Sequence, residues 1–374
     1  MTTLMKLRVR IQHTTGLWAI RAAAVLGLIM LTHGTTLSAG DSGEFNKKGH
    51  IVIADQFNNR VIEIDPETHK VVWQFGDGSS FPGPHSIVGT NDAERYGELT
   101  LISGTGIPPA SPALPGCPAA LEATTGCPDN RVILVNEDGK IVWQYGQDGG
   151  ASGTGFDQLN TPVAATVLPN GHFLITDQAN ERVIEVNRKK EIVWQYGITG
   201  MTGTGDNLLN NPNSAELLEN GHILIADENN NRAIEVNRDH HIVRTFTAGG
   251  LANGVAFASR LRNGNILLTS SNNSMILEVD SDDDTVVWQY VTNAQTGSIL
   301  ADLPTRAVRL RNGNTLISDQ FNNTVIEVNH KTPADIVFTQ GMIGVLGNGF
   351  NLLNGPYDAK VIGDFTGLTP PPED

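Results

Sequence analysis

One eight-residue phrase recurs along the chain, and it constrains the fold more than any other feature. Asn170-Gly171-His172-Phe173-Leu174-Ile175-Thr176-Asp177 returns as Asn220-Gly221-His222-Ile223-Leu224-Ile225-Ala226-Asp227, and again as Asn312-Gly313-Asn314-Thr315-Leu316-Ile317-Ser318-Asp319. Weaker copies start at Gly49, Gly97 and Gly264, so the steps between the six marker glycines are 48, 74, 50, 43 and 49 residues. Aligning Arg131 on Arg182 and Trp143 on Trp194 shows that the long step holds an insertion of 23 residues, at about 106–128, over an underlying period of 51. Six units of nearly equal length mean one architecture repeated six times.

Each unit has the same internal order: a proline-led apolar stretch, an Asn-Gly turn, an alternating run, a polar Asp-x-x-Asn-x-Arg corner, a run such as Val183-Ile184-Glu185-Val186, and a last run such as Ile192-Val193-Trp194-Gln195-Tyr196. Period-two alternation, β-branched enrichment and turn residues at each junction predict four short antiparallel strands per unit. The expected fold is therefore an all-β, six-bladed β-propeller. The unit at Gly49 lacks a leading strand, while Gly355 to Ile362 is an orphan one. The C-terminal strand should join the N-terminal blade and remove the open sheet edges.

The N-terminus reads as an export signal over residues 1–39: scattered Lys and Arg through Arg21, an apolar run from Ala22 to Leu31, then Leu37-Ser38-Ala39. The run is about half of what a bilayer span needs, so the chain is expected to be periplasmic or secreted, without a stable membrane anchor. The propeller is assigned to 40–368 and a Pro-rich tail to 369–374. Forty acidic against 25 basic residues give a charge of −15, and the first 39 residues hold four of the basic groups and no acid, which leaves −19 beyond them. Such a charge excludes a grip on nucleic acid. Cys117 and Cys127, alone in the chain, should close the insertion as a disulfide in an oxidising compartment.

Trp73, Trp143, Trp194 and Trp288 stand at one repeated strand position, where an aromatic serves packing between blades. Gly150-x-x-Gly153-x-Gly155, Gly200-x-x-Gly203-x-Gly205 and Gly344-x-x-Gly347-x-Gly349 lead into the innermost strands; with no strand-to-helix step after them they read as tight rim loops. The corners Asp55/Asn58/Arg60, Asp177/Asn180/Arg182 and Asp227/Asn230/Arg232, with Asp319/Asn322 lacking the Arg, read as turn chemistry. No cofactor motif or metal-ligand set is identified.

Functional residues should lie where the repeats differ. The proline-led strands share an Ala column (Ala165, Ala215, Ala258, Ala307, Ala359, with Ile87 as the exception), flanked by variable pairs: Ser86/Val88, Ala164/Thr166, Ser214/Glu216, Phe257/Ser259, Arg306/Val308 and Asp358/Lys360. If that face lines the channel, Arg306, Asp358, Lys360 and Glu216 are candidate ligand-binding groups, or they neutralise one another in a wet channel. Pro84-His85-Ser86 is placed at the start of the second blade's innermost strand, and His85 is the sharpest single candidate.

The unit Leu-x-Asn-Gly-x-x-Leu-Ile-x-Asp-x-x-Asn-x-Arg-Val-Ile-Glu-Val, followed by Ile-Val-Trp-Gln-Tyr-Gly, resembles NHL-repeat propellers and is similar to arylsulfotransferase-like propellers. The resemblance implies a propeller and leaves the activity open. The first functional expectation is a monomeric binding module taking a small-molecule ligand or a protein partner on the glycine-loop rim. The alternative implied by the second resemblance is sulfuryl transfer, with His85 as nucleophile and Arg306 or Lys360 holding the anionic group. A calcium-dependent lyase or lactonase rests on fold analogy alone.

Overall fold

The computed structural model describes residues 45–109, 114–122 and 124–364. The chain divides into two units, Met1–Ser38 and Ala39–Asp374, and the fold is that of the second. The expected signal (1–39) and the tail (369–374) lie outside the described residues.

Six four-stranded antiparallel sheets form the blades of a β-propeller. Blade one is closed by the last strand, Pro356–Val361, which pairs with Ile51–Asp55 in the register Ile53↔Ala359. Gly49 N–H to Ile362 O (2.9 Å) and Ile362 N–H to His50 O (2.8 Å) continue the ladder beyond the strands. The orphan C-terminal strand thus completes the first blade.

The core is not in the middle of the ring but in the seams between blades. Six apolar clusters each draw on two neighbouring blades, as where Leu224 and Phe246 of blade four meet Val255 and Leu268 of blade five. Because a blade is covered on both faces, its second strand is buried at every position in five of the six blades, as in Ile223–Asp227, and at all but Leu99 in blade two; alternation survives poorly there. The outermost strands regain exposed positions, as in Ile192–Tyr196. The repeated tryptophans span the seams: Trp73 Nε1 donates to Glu137 O at 2.8 Å, and Trp194 Nε1 to Arg238 O at 3.2 Å, each in the following blade.

A second set of seam contacts runs through the third strands. Glu185 accepts from His172 and Asn170 of its own Asn-Gly turn and from Arg238 of the next blade (2.6 Å). Glu235 does the same with His222, Asn220 and Arg260, and Glu278 with Asn263, Asn265 and Arg309. The histidines after the Asn-Gly turns are therefore turn anchors.

The insertion occupies the corner between Leu99–Gly104 and Arg131–Asn136 of blade two. It carries one helical turn, Ala119–Glu122, and the Cys117–Cys127 disulfide. Ile107 and Cys127 are buried against Phe57 and Val88, and Asn59 Nδ2 donates to Gly116 O at 2.8 Å, so the insertion is docked on the corner of blade one.

Candidate functional site

The innermost strands converge on the axis, and their small column is complete. Ala93, Ala165, Ala215, Ala258, Ala307 and Ala359 lie opposite Ile102, Ile175, Ile225, Leu268, Ile317 and Ile53 of the second strands. Blade two thus corrects the sequence reading: its innermost strand is Thr90–Tyr96, not the stretch from Pro84, and Ala93 rather than Ile87 holds the column. Pro84 and His85 instead form an exposed turn closed by the Gly83–Ser86 bridge. Ser86, Ile87 and Val88 are buried in the loop ahead of the strand. Proline is a weak marker here because a strand's first residue needs no ladder donor, which lets Thr90 and Val255 serve in place of Pro.

The channel pairs become Asp92/Glu94, Ala164/Thr166, Ser214/Glu216, Phe257/Ser259, Arg306/Val308 and Asp358/Lys360. Most of them line one cavity of about 90 Å³ on the axis, among them Arg306, Lys360 and Glu216. Arg306 and Lys360 both line it and His85 does not, so the nucleophile and the cation expected for sulfuryl transfer do not converge. The volume is far below the ~300–1,000 Å³ of pockets that take drug-sized ligands.

Arg306 closes the axis on the glycine-loop side. Its guanidinium is buried and donates to Asn213 Oδ1 (3.0 Å), Asn213 O (3.2 Å), Ala256 O (3.1 Å), Thr305 O (3.0 Å) and Val163 O (3.2 Å). These acceptors sit on blades three to six, so one side chain ties four innermost strands. The rings of Phe257 and Tyr357 lie 5.3 and 5.0 Å from its Cζ. Above the plug, Asn213 bonds Glu228 and the Tyr357 hydroxyl, while Gln320, Gln56 and Asn91 form a chain of amides.

The carboxylates have a backbone task. Each innermost strand has one edge turned to the axis, and its N–H groups need acceptors. Asp92 accepts from Ala165 N (2.8 Å), Asp358 from Ala93 N (3.2 Å), Ser214 Oγ from Ala258 N (3.3 Å) and Glu216 from Arg260 N (3.1 Å). Lys360 Nζ bridges Asp92 (2.7 Å) and Asp358 (2.6 Å) and also donates to Ala93 O. Arg306 and Asp358 stand on adjacent blades as expected, and the partner of Lys360 missed in the sequence is Asp92.

Burial pushes Glu94 up to about 8; Lys360 opposes this and Asp92 adds to it. Burial also pushes Asp358 up, with Lys360 opposing, whereas at Asp92 the burial is outweighed by Lys360 and Arg306, which hold it below the usual range. Burial therefore favours the protonated form of Glu94 beside the Lys360 triad. No three residues among His, Cys, Asp and Glu are grouped to hold a metal among the described residues.

The rim above the plug is built from the loops that lead into the innermost strands. The corner asparagines hold them: Asn58 to Gly347 O, Asn180 to Gly153 O and Asn230 to Gly203 O, each at 2.8 Å. Gly150, Gly200 and Gly344 take positive φ (75°, 72° and 72°), the conformation that requires glycine in these loops. All six loops expose a large apolar side chain: Phe81, Phe156, Met201, Leu251, Leu300 and Phe350, from 41% to 91% exposed. The six loops contain Asp77, Asp148, Asp157, Asp206 and Asp302, and neither they nor the insertion contain a Lys or Arg.

Fold and channel together define a closed six-bladed β-propeller with a plugged axis and an apolar, acidic loop rim. The family model described as outer membrane protein assembly factor BamB matches residues 31–290, and the chain belongs to that family. Among solved structures, a protein of unknown function from Bacteroides caccae is 14% identical, with 78% of this chain and 93% of that one covered at a TM-score of 0.54. A functionally unknown protein from Desulfotomaculum acetoxidans is 12% identical over 82% and 84% (TM-score 0.46), and virginiamycin B lyase from Staphylococcus aureus 14% over 66% and 68% (TM-score 0.42). These likenesses concern the fold alone. No curated protein matches the chain. Among the described residues no helix is long and apolar enough to cross a membrane.

Proposed function

We propose that the chain is an exported binding module whose loop rim docks a polypeptide that presents apolar side chains among Lys or Arg. The observation that carries this is the rim's composition: an exposed large apolar residue in every loop, with Asp77, Asp148 and Asp206 as the exposed charged residues of the loops themselves, Asp157 being paired with Lys190 and Asp302 buried. Exposed apolar groups on a shared face mark interaction sites, and the one-signed charge selects a cationic partner over an anionic lipid surface. The plugged axis and the small cavity favour a surface partner over a ligand drawn deep into the channel from this side. Export is supported by membership of an outer-membrane assembly family and by the Cys117–Cys127 bond, which persists in oxidising compartments.

Two amphipathic synthetic peptides of equal apolar content, one bearing Lys/Arg and one Asp/Glu, test the reading by calorimetry beside anionic vesicles. The cationic peptide should bind with an affinity that falls as salt rises, and Phe156→Ser with Phe350→Ser should weaken it at least tenfold. Equal binding of both peptides, binding indifferent to the rim substitutions, or preference for the vesicles would overturn it.

A further inference from the structure

The corner between second and third strands keeps its charge balanced in five of the six blades. In blades one, three and four a buried Asp ends the second strand and an Arg faces it in register: Asp55↔Arg60, Asp177↔Arg182 and Asp227↔Arg232. The Arg Nε lies 2.7, 2.7 and 2.8 Å from the carboxylate. In blade two the second strand ends on Gly104, and Asp129 from the far end of the insertion reaches in to pair with Arg131. It also accepts the Val88 N–H at 2.7 Å, as Asp177 accepts that of Asn160. In blade five both partners are replaced together, by Ser270 and Met275. When this fold gives up the cation, it gives up the anion too.

Blade six breaks the pattern. Asp319 is kept, but the residue facing it in register is Thr324. A second carboxylate, Asp302, stands where the other leading loops have Asn354, Asn160, Asn210, Asn253 or Val88. Its equivalence is set by Phe321 N–H to Asp302 O (2.9 Å), the counterpart of Phe57 N–H to Asn354 O (3.0 Å) and Ala179 N–H to Asn160 O (3.1 Å). Asp302, Asp319 and Thr324 are each 0% exposed. Asp302 Oδ1, Asp319 Oδ1 and Thr324 Oγ1 have no hydrogen-bond partner. Two carboxyl groups thus lie in a buried corner from which the guanidinium has been removed, and ionising both there without a cation would cost several kcal/mol.

We propose that the blade-six corner is a binding site for a divalent, oxygen-preferring metal cation of the calcium class, held by Asp302, Asp319 and Thr324. A doubly charged cation restores the neutrality that Arg supplies in blades one to four and double replacement supplies in blade five. Carboxylate and hydroxyl oxygens are the ligands calcium takes, with water or carbonyl oxygens completing six to eight. The Asn322 amide, which donates to Asp319 Oδ2 (2.8 Å) and to Ser298 Oγ (2.7 Å), leaves the other Asp319 oxygen free for the metal. Such a site would cross-link the loop before blade six to its corner, the work done elsewhere by the Asp–Arg pair.

Terbium luminescence of the purified protein is the direct probe, with Tyr290, whose hydroxyl feels the charges of Asp319 and Asp302, as sensitiser. One equivalent of terbium should give saturable emission that calcium displaces, and calcium should raise the melting temperature while EDTA lowers it. Thr324→Arg, which rebuilds the ion pair, and Asp302→Asn, which restores the residue of the other loops, should each weaken binding at least tenfold and abolish the calcium shift. If Thr324→Arg does not fold, Asp302→Asn decides. No calcium-dependent shift and no saturable emission in the unaltered chain would mean that the carboxyls share a proton instead and would overturn the proposal, as would variants that bind undiminished.

Discussion

Arg306 on blade six donates to the carbonyl of Val163 on blade three, directly across the propeller axis, at 3.2 Å. The bond makes the axis a tie rod rather than a passage. It is possible because the neighbouring columns are small or flat: Ala on every innermost strand, and the rings of Phe257 and Tyr357 on either side of the guanidinium.

Replacing Arg306 by Met should therefore act on stability across the whole ring. Five acceptors lose their donor in a buried place, and Asp92 loses one of the cations that keep it ionised. A loss of about 3–5 kcal/mol is expected from the urea midpoint. A shift below about 1 kcal/mol would show that water replaces the guanidinium without cost.

Glu94 sets an unusual pH dependence. Its carboxyl titrates at about 8 in the folded chain against 4.5 as the ordinary value. A raised pKa means that the unfolded chain ionises first. The stabilising contribution is full below about pH 4.5, declines as pH rises towards 8 and is constant above. Glu94→Gln should flatten the decline, read as melting temperature between pH 5 and 9. An unchanged slope would place the titration elsewhere.

Deletion from Gly355 onward removes the innermost strand of blade one and exposes the edge of Ile51–Asp55. The truncated chain should lose the single cooperative transition of the ring and aggregate through the open edge. Retention of the full-length melting curve would contradict closure by this strand.

The disulfide should act locally. Cys117 and Cys127 are ten residues apart in an insertion that touches the ring through Phe57, Asn59 and Val88. Cys117→Ser with Cys127→Ser should make residues 105–130 a preferred protease site and leave the melting temperature of the ring within about 2 °C. A large fall in that temperature would mean the insertion braces blades one and two.

Six repeats, four strands in each, the shared small column and the returning C-terminal strand were all legible in the chain, because each is a local pattern or its count. The second blade was not. Pro84 resembles the prolines of other blades, yet Ile87 lies ten residues before Gly97, where Ala165, Ala215, Ala258 and Ala307 lie six before their marker glycines. That mismatch was a signal against Ile87, but Ala93, with Asp92 and Glu94 beside it, lies only four residues before Gly97 across a shorter turn, so the spacing alone did not give the column residue. His85 consequently moved from the channel's edge to an exposed turn.

What the sequence by itself determined is the blade, since strand, turn and corner are dictated by neighbours within about 50 residues. What only the tertiary structure decided is everything that depends on residues meeting across the ring. Arg306 reaches carbonyls 50 to 143 residues away, Lys360 meets Asp92 at a separation of 268, and Asp129 substitutes for a side chain that Gly104 lacks. The Arg306 acceptors Val163, Asn213, Ala256 and Thr305 do share one periodic position, two residues before the column Ala, but the repeat does not say which of them a given side chain meets. They are chosen by convergence on one axis and one corner, where burial makes each charge and each unpaired N–H find whatever acceptor or donor lies within about 3 Å.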